Sequence, residues 1–225
     1  MNRIIVLFLL LIISACKNTE PILLSFKNIL VFGNSITIHP PNSSVGWFGN
    51  YGMAASSKEN DYVNIMASKL NSNVTPVNIS AWEGSHQTFN LSDYDKYFVN
   101  IPDLVIIRLG ENVNNPSGFD KSLQTLINYI KSKAPKSKIL ITGTFWTNKA
   151  IDDILKNGAV ANEITFVPLS QLDTKENLSE IGAITTSVDG SKIKISNQGV
   201  ANHPGDVGMK NIAGELIKYI ELISK

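Results

Sequence analysis

The sequence predicts an α/β fold, a three-layer α/β/α sandwich with a central parallel sheet of about five strands. Five short apolar runs recur along the chain, and the stretches between them carry apolar residues at helical spacing. Strands that alternate with helices imply parallel crossovers, which cover both faces of the sheet. The first run, Asn28–Phe32, is closed by Gly33 and reads as a buried strand. The others are Thr75–Ile79, Leu104–Leu109, Lys138–Thr144 and Ile164–Leu169. Tyr62, Val63, Met66, Ala67 and Leu70 mark one helix face, and Phe119, Leu123, Leu126, Ile127 and Ile130 mark another. A last helix is predicted from about Met209 to Ile223, with Ile212, Leu216, Ile217 and Ile220 on its buried face. Ser56 with Glu59 has the spacing of a capping box for the first helix.

The amino terminus reads differently. Arg3 precedes an unbroken apolar run from Ile4 to Ile13, followed by Ser14 and Ala15, which is the pattern of a secretory signal and too short for a membrane span. Ile13-Ser14-Ala15-Cys16 resembles the lipobox of bacterial lipoproteins, in which the cysteine becomes the lipidated first residue. Residues 1–15 are therefore read as a signal peptide, 16–27 as a lipidated start and tether, and 28–225 as one domain. That resemblance implies a protein of the bacterial cell envelope, in contact with a membrane only through its anchor. Cys16 is the only cysteine, so no internal disulfide is possible.

Losing residues 1–15 removes Arg3 and no acid, which leaves a net charge of about zero and argues against a nucleic-acid partner. Three scattered histidines and one cysteine make no metal-ligand cluster, and no phosphate-binding glycine loop is present, so neither a metal nor a cofactor is expected.

Open parallel sheets bind ligands beyond the carboxyl ends of their strands. The predicted strands bring Ser35, Gly84, Gly110-Glu111-Asn112 and His203 to that rim from distant parts of the chain. Gly33-Asn34-Ser35-Ile36-Thr37 resembles the Gly-Asp-Ser block of the SGNH (GDSL-type) hydrolases, with Asn34 in place of the usual Asp. Gly84 in "SAWEGSH", Gly110-Glu111-Asn112, and His203-Pro204 followed by Gly208 and Ala213 resemble the family's remaining blocks in order. The resemblance runs from Asn28 to Ile217 and implies the flavodoxin-like fold of that family.

It also implies roles. Ser35 would be the nucleophile and His203 its base, because a hydroxyl is a weak nucleophile until a group titrating near neutrality takes its proton. The oxyanion would be held by the backbone N–H groups of Ser35 and Gly84 and the side-chain amide of Asn112.

The family's acid normally stands three residues before the histidine, and here that position is Val200. Three explanations are open: a Ser-His dyad with a backbone carbonyl behind the imidazole, a carboxylate from elsewhere, or a fold that binds glycans without catalysis. Glu111 leads the carboxylates, ahead of Glu83, Asp189 and Asp206. His39, close to Ser35, and Trp47, Trp82 and Trp146, each following a predicted strand, are candidate substrate contacts, because aromatic faces stack on sugar rings. His86 is a further rim candidate, and Gly46 to Asn60 a loop shaping the pocket. The expected function is a serine esterase that removes small acyl groups, acetyl foremost, from carbohydrate. A lipase or lysophospholipase and a non-catalytic glycan binder are the alternatives.

Overall fold

The computed structural model describes residues 26–224, so the predicted signal segment and Cys16 lie outside the described residues. Strand β1 (Asn28–Gly33) is apolar on both faces: Ile29 and Val31 join one half of the core, and Leu30 and Phe32 the other. A central strand covered by helices on both sides requires this, since neither face meets water. β1 pairs in parallel with β2 (Asn73–Asn78) and with β3 (Leu104–Ile107). β4 (Lys138–Thr142) and β5 (Thr165–Val167) complete a parallel sheet in the order β2-β1-β3-β4-β5. All five predicted runs are strands of this sheet, with ends displaced by one or two residues. β2 carries Pro76, which lacks a ladder donor and is tolerated because β2 is an edge strand.

Helices α1 (Tyr62–Leu70) and α6 (Asp206–Ile223) cover one face, with Met66, Met209, Ile212 and Leu216 packed near Ile29, Val31 and Ile106. Helices α3 (Phe119–Lys133) and α4 (Lys149–Ala161) cover the other, where Leu123, Leu126, Ile127 and Leu155 meet Leu30, Phe32 and Ile107. Two short helices, α2 (Ser80–Ser85) and α5 (Gln198–Ala201), belong to the carboxyl edge. A small antiparallel hairpin, β6 (Ile184–Thr186) and β7 (Lys192–Lys194), was not expected: three-residue strands are too short to leave a sequence pattern.

The predicted capping box is corrected. A 3-10 turn over Lys58–Asn60, which contains Glu59, separates Ser56 from α1, and Asp61 caps that helix by accepting the Asn64 N–H at 2.7 Å. Ser56 donates instead from its backbone (2.8 Å) and hydroxyl (2.7 Å) to Asp206, tying the 46–60 loop to the start of α6.

Gly33 ends β1 because nothing larger fits. A Cβ there would lie 1.8 Å from Thr37 Oγ1, where the chain folds back with Thr37 and Ile38 donating to the Asn34 carbonyl. This tight reversal presents Ser35 at the end of the strand.

Candidate active site

The carboxyl ends of the strands, with α5, enclose a cleft of about 340 Å³. Ser35 follows β1, Ser80 follows β2, Asn112 follows β3 and Trp146 follows β4; all line the cleft, together with His39, Val45, Met53, Asn197, Gly199, Val200 and His203. Gly33 pairs with Asn78 in the β1–β2 register, so Ser35 and Ser80 each stand two residues beyond paired positions.

Ser35 Oγ lies 2.9 Å from His203 Nε2. The other ring nitrogen, Nδ1, lies 2.8 Å from the Gly199 carbonyl, which can only accept. That fixes the tautomer: Nδ1 carries the hydrogen and Nε2 presents its lone pair to the serine hydroxyl. Local structure explains why the carbonyl is free. α5 is one turn long, capped by Asn197 Oδ1, which accepts from Gly199 and Val200; the next N–H groups donate to Asn197, Gln198 and Val200, leaving the Gly199 oxygen to the imidazole. Trp146 packs edge-to-face on the His203 ring, with centroids 5.1 Å apart, and its indole N–H donates to the Asn202 carbonyl at 3.1 Å. Burial pulls the His203 pKa down to about 4; the Gly199 carbonyl opposes this, while the positive potentials of His39 and Arg108 add to it.

The Ser35 backbone N–H has no acceptor among the described residues. Asn112 Nδ2 donates one hydrogen to Glu83 Oε2 at 2.7 Å, and its second hydrogen has no protein partner among them either. Beneath these donors lies a buried polar cluster. Glu83 Oε1 accepts from Gly110 N (2.6 Å), Asn112 N (3.3 Å) and Asn34 Nδ2 (3.3 Å). The same Asn34 nitrogen donates to Glu111 Oε2 at 2.7 Å, and Asn34 Oδ1 accepts from Arg108 Nη1 at 2.9 Å. Arg108 Nη2 pairs with Glu111 Oε1, which also accepts the Phe145 N–H at 2.9 Å. Burial and then the Glu111 charge push the Glu83 carboxyl above its usual range, against the pull of its N–H donors. Gly110 takes φ +131°, which glycine adopts without strain, and thereby turns its N–H onto Glu83.

The structure brings Ser35, His203, Asn112, His39 and Trp146 together on the cleft. It places four other candidates elsewhere. Gly84 lies inside α2, exposed, with open space where its side chain would be; the helix turns it away, and Ser80, whose hydroxyl has no partner among the described residues, lines the cleft instead. Glu111 is not the orienting acid: its oxygens are taken by Arg108, Asn34 and Phe145 N, and the imidazole already has the Gly199 carbonyl. Trp47 is 1% exposed, packed on Tyr51 and donating to the His39 carbonyl. Trp82, equally buried, packs on Phe119; both seal loops over the sheet.

The trailing acids also serve other ends. Asp189 accepts within the β6–β7 turn and Asp206 accepts from Ser56. His86 bridges Ser122 Oγ (2.8 Å) and the Asn115 carbonyl (3.0 Å). Val45 and Met53 bring the 46–60 region and its flank to the cleft. Sequence reasoning missed Ser80 and Gly199. The first needs the β1–β2 register, and the second acts through a backbone atom that any residue supplies.

No protein-family model matches the chain, and no curated protein matches it in sequence. Solved structures do match. A family two carbohydrate esterase from Cellvibrio japonicus superposes with a TM-score of 0.54 at 16% identity, over 89% of this chain and 62% of that one. This chain thus spans less than two thirds of that esterase. A protein of the G-D-S-L lipolytic family from Desulfitobacterium hafniense gives 0.53 at 14% identity, over 85% of this chain and 98% of that one. An acetyl xylan esterase, AlAXEase, gives 0.54 at 15% identity with the same coverages. What these likenesses establish is the fold.

Proposed function

We propose that this chain, which has the α/β/α fold of the SGNH hydrolases, is a serine esterase that removes small acyl groups, acetyl foremost, from carbohydrate. One observation carries the reading: Ser35 Oγ sits 2.9 Å from His203 Nε2 while the Gly199 carbonyl holds Nδ1–H. Ser35 attacks the ester carbonyl as His203 takes its proton. The Ser35 N–H and the Asn112 amide hold the oxyanion, with the Ser80 hydroxyl on the same edge of the cleft. The imidazolium then protonates the leaving alcohol, and water hydrolyses the acyl-enzyme by the same route.

The lining of the cleft supports the substrate class. Among the described residues the cleft is lined by no Asp, Glu, Lys or Arg, which suits a neutral ester better than a phosphorylated or thiol-cofactor ester. Val45, Met53 and Val200 offer an apolar patch for a short acyl group, and Trp146, His39, Ser80 and Asn197 offer a ring face and polar atoms for a sugar. The test compares wild type with Ser35→Ala on p-nitrophenyl acetate, a long-chain ester and an acetylated xylo-oligosaccharide. The expected result is turnover of the acetyl esters, a loss on the order of 10³-fold or more in Ser35→Ala, and a fluorophosphonate adduct on Ser35. Equal rates in the two proteins refute it, and a preference for long chains turns the reading to a lipase.

We further propose that Cys16 is lipidated and anchors the domain to the bacterial envelope, on the strength of Ile13-Ser14-Ala15-Cys16. Palmitate labelling of the full chain that is lost in Cys16→Ser checks this; labelling unchanged in that variant rejects it.

A further inference from the structure

We propose that Glu83 is a positioning residue that sets the Asn112 amide donor-first toward the cleft. The proposal rests on the esterase reading above. An asparagine amide has two ends of similar shape and opposite effect: Nδ2 would stabilise an oxyanion, whereas Oδ1 would repel it. The backbone of Asn112 does not choose between them. Glu83 does, because an ionised carboxylate only accepts, and its Oε2 lies 2.7 Å from Asn112 Nδ2. Flipping the amide would set Oδ1 against that buried carboxylate, two acceptors with no hydrogen between them.

Glu83 is itself fixed. Its Oε1 accepts from Gly110 N and Asn112 N, so the carboxylate is bound to the same turn that carries the amide it orients. A further bond from Asn34 Nδ2 ties that turn to the residue preceding Ser35. Glu83 thereby links the nucleophile's turn to the donor's turn, and Arg108, through Asn34 Oδ1 and Glu111, supplies the cation that lets the cluster stay buried. Glu83 is 1% exposed and does not line the cleft, so it acts through Asn112 and not on substrate.

The experiment is a double-mutant cycle on p-nitrophenyl acetate with wild type, Glu83→Gln, Asn112→Ala and the double variant. In Glu83→Gln the new amide nitrogen faces Asn112 Nδ2, and two donors cannot pair. Asn112→Ala is expected to lower kcat about 100-fold, the order seen when one oxyanion donor is removed. Glu83→Gln is expected to lower kcat about 10-fold or more with KM changed less than about twofold, and to have no further effect once Asn112 is Ala. Equal factors in both backgrounds, or no loss of kcat in Glu83→Gln, overturn the proposal while leaving the esterase reading intact. Absence of any Ser35-dependent turnover in wild type overturns the esterase reading and this proposal with it. Should Glu83→Gln fail to fold, NMR of wild type decides: one Asn112 side-chain proton shifted downfield and protected from exchange with water supports the proposal, and both protons at free-amide shifts with unprotected exchange refute it.

Discussion

Lowering the pH from about 8 to about 4 titrates the base on which the proposed reaction depends, and the structure fixes where the loss should fall. An unperturbed imidazole titrates near 6.5, whereas His203 is held down to about 4, chiefly by burial. The Gly199 carbonyl offsets part of that cost, but a neutral dipole does less for an imidazolium than a carboxylate would. The sign follows directly: the neutral, proton-accepting form persists well below neutrality. At pH 5.5 a base of pKa 4 is about 97% unprotonated and one of pKa 6.5 about 9%, so relative activity there differs about tenfold between the two cases. The assay is kcat/KM for p-nitrophenyl acetate in buffers of constant ionic strength, read at the isosbestic wavelength of the product. A plateau reaching down past pH 5.5 is expected. A midpoint between 6 and 7 would refute the reasoning, since it would mean that a carboxylate or bulk water reaches the ring. Glu83 has a carboxyl pushed up by burial and the Glu111 charge; an acid limb belonging to it would vanish in Glu83→Gln.

Gly84→Ala should keep full activity and gain about 0.5–1 kcal/mol in helix propensity, because the site is exposed, helical and open; a tenfold loss of kcat would return Gly84 to the oxyanion hole. Asn34→Asp replaces the donor shared by Glu83 and Glu111 with a third buried carboxylate, so a loss of about 3 kcal/mol is expected at neutral pH. Thermal melts should show that deficit shrinking toward pH 5 as the carboxyls take up protons, and an unchanged melting temperature rejects the account of the cluster. Val200→Asp puts a carboxylate at a side chain 1% exposed, beside the ring that Gly199 already holds. The acid limb of kcat/KM should move up by about one unit while stability falls by about 2 kcal/mol, and an unmoved limb shows that the carboxylate does not reach the ring.

The sheet was legible because its inner strands β1, β3 and β4 are buried on both faces and read as apolar runs, while Pro76 in the partly exposed β2 falls on an edge. The β6–β7 hairpin was not, because Ile184–Thr186 and Lys192–Lys194 are short and only partly buried, with Thr185 the single buried residue. In the site, Ser35, Asn112 and His203 could be read from their places after apolar runs and before a helix. Trp47, Trp82 and Trp146 all follow strands, yet only Trp146 lines the cleft. Which way a loop folds its aromatic ring depends on partners such as Tyr51 and Phe119, far from a strand's own pattern. Gly84 misled for a related reason: six residues of helix begin at Ser80, and one turn carries Gly84 off the rim.

The two differences from the SGNH blocks that the sequence resembles, Asn34 for Asp and Val200 for Asp, have one physical account. With Val200 in place, no carboxylate stands behind His203, and a backbone carbonyl keeps the tautomer without adding charge. The acidic groups stand instead beneath the proposed oxyanion donors, at Glu83 and Glu111, with Arg108 as the cation that hydrogen-bonds within that cluster. An Asp at position 34 would add a third carboxylate there. Asn34 avoids this because its amide has both ends: Nδ2 donates to the two glutamates while Oδ1 accepts from the arginine. The same amide precedes Ser35, so a residue that neutral chemistry requires in the cluster also holds the nucleophile's turn. The absence of an acid at both positions is thus compatible with the 2.9 Å contact between Ser35 Oγ and His203 Nε2, because each position is served by groups that carry no charge.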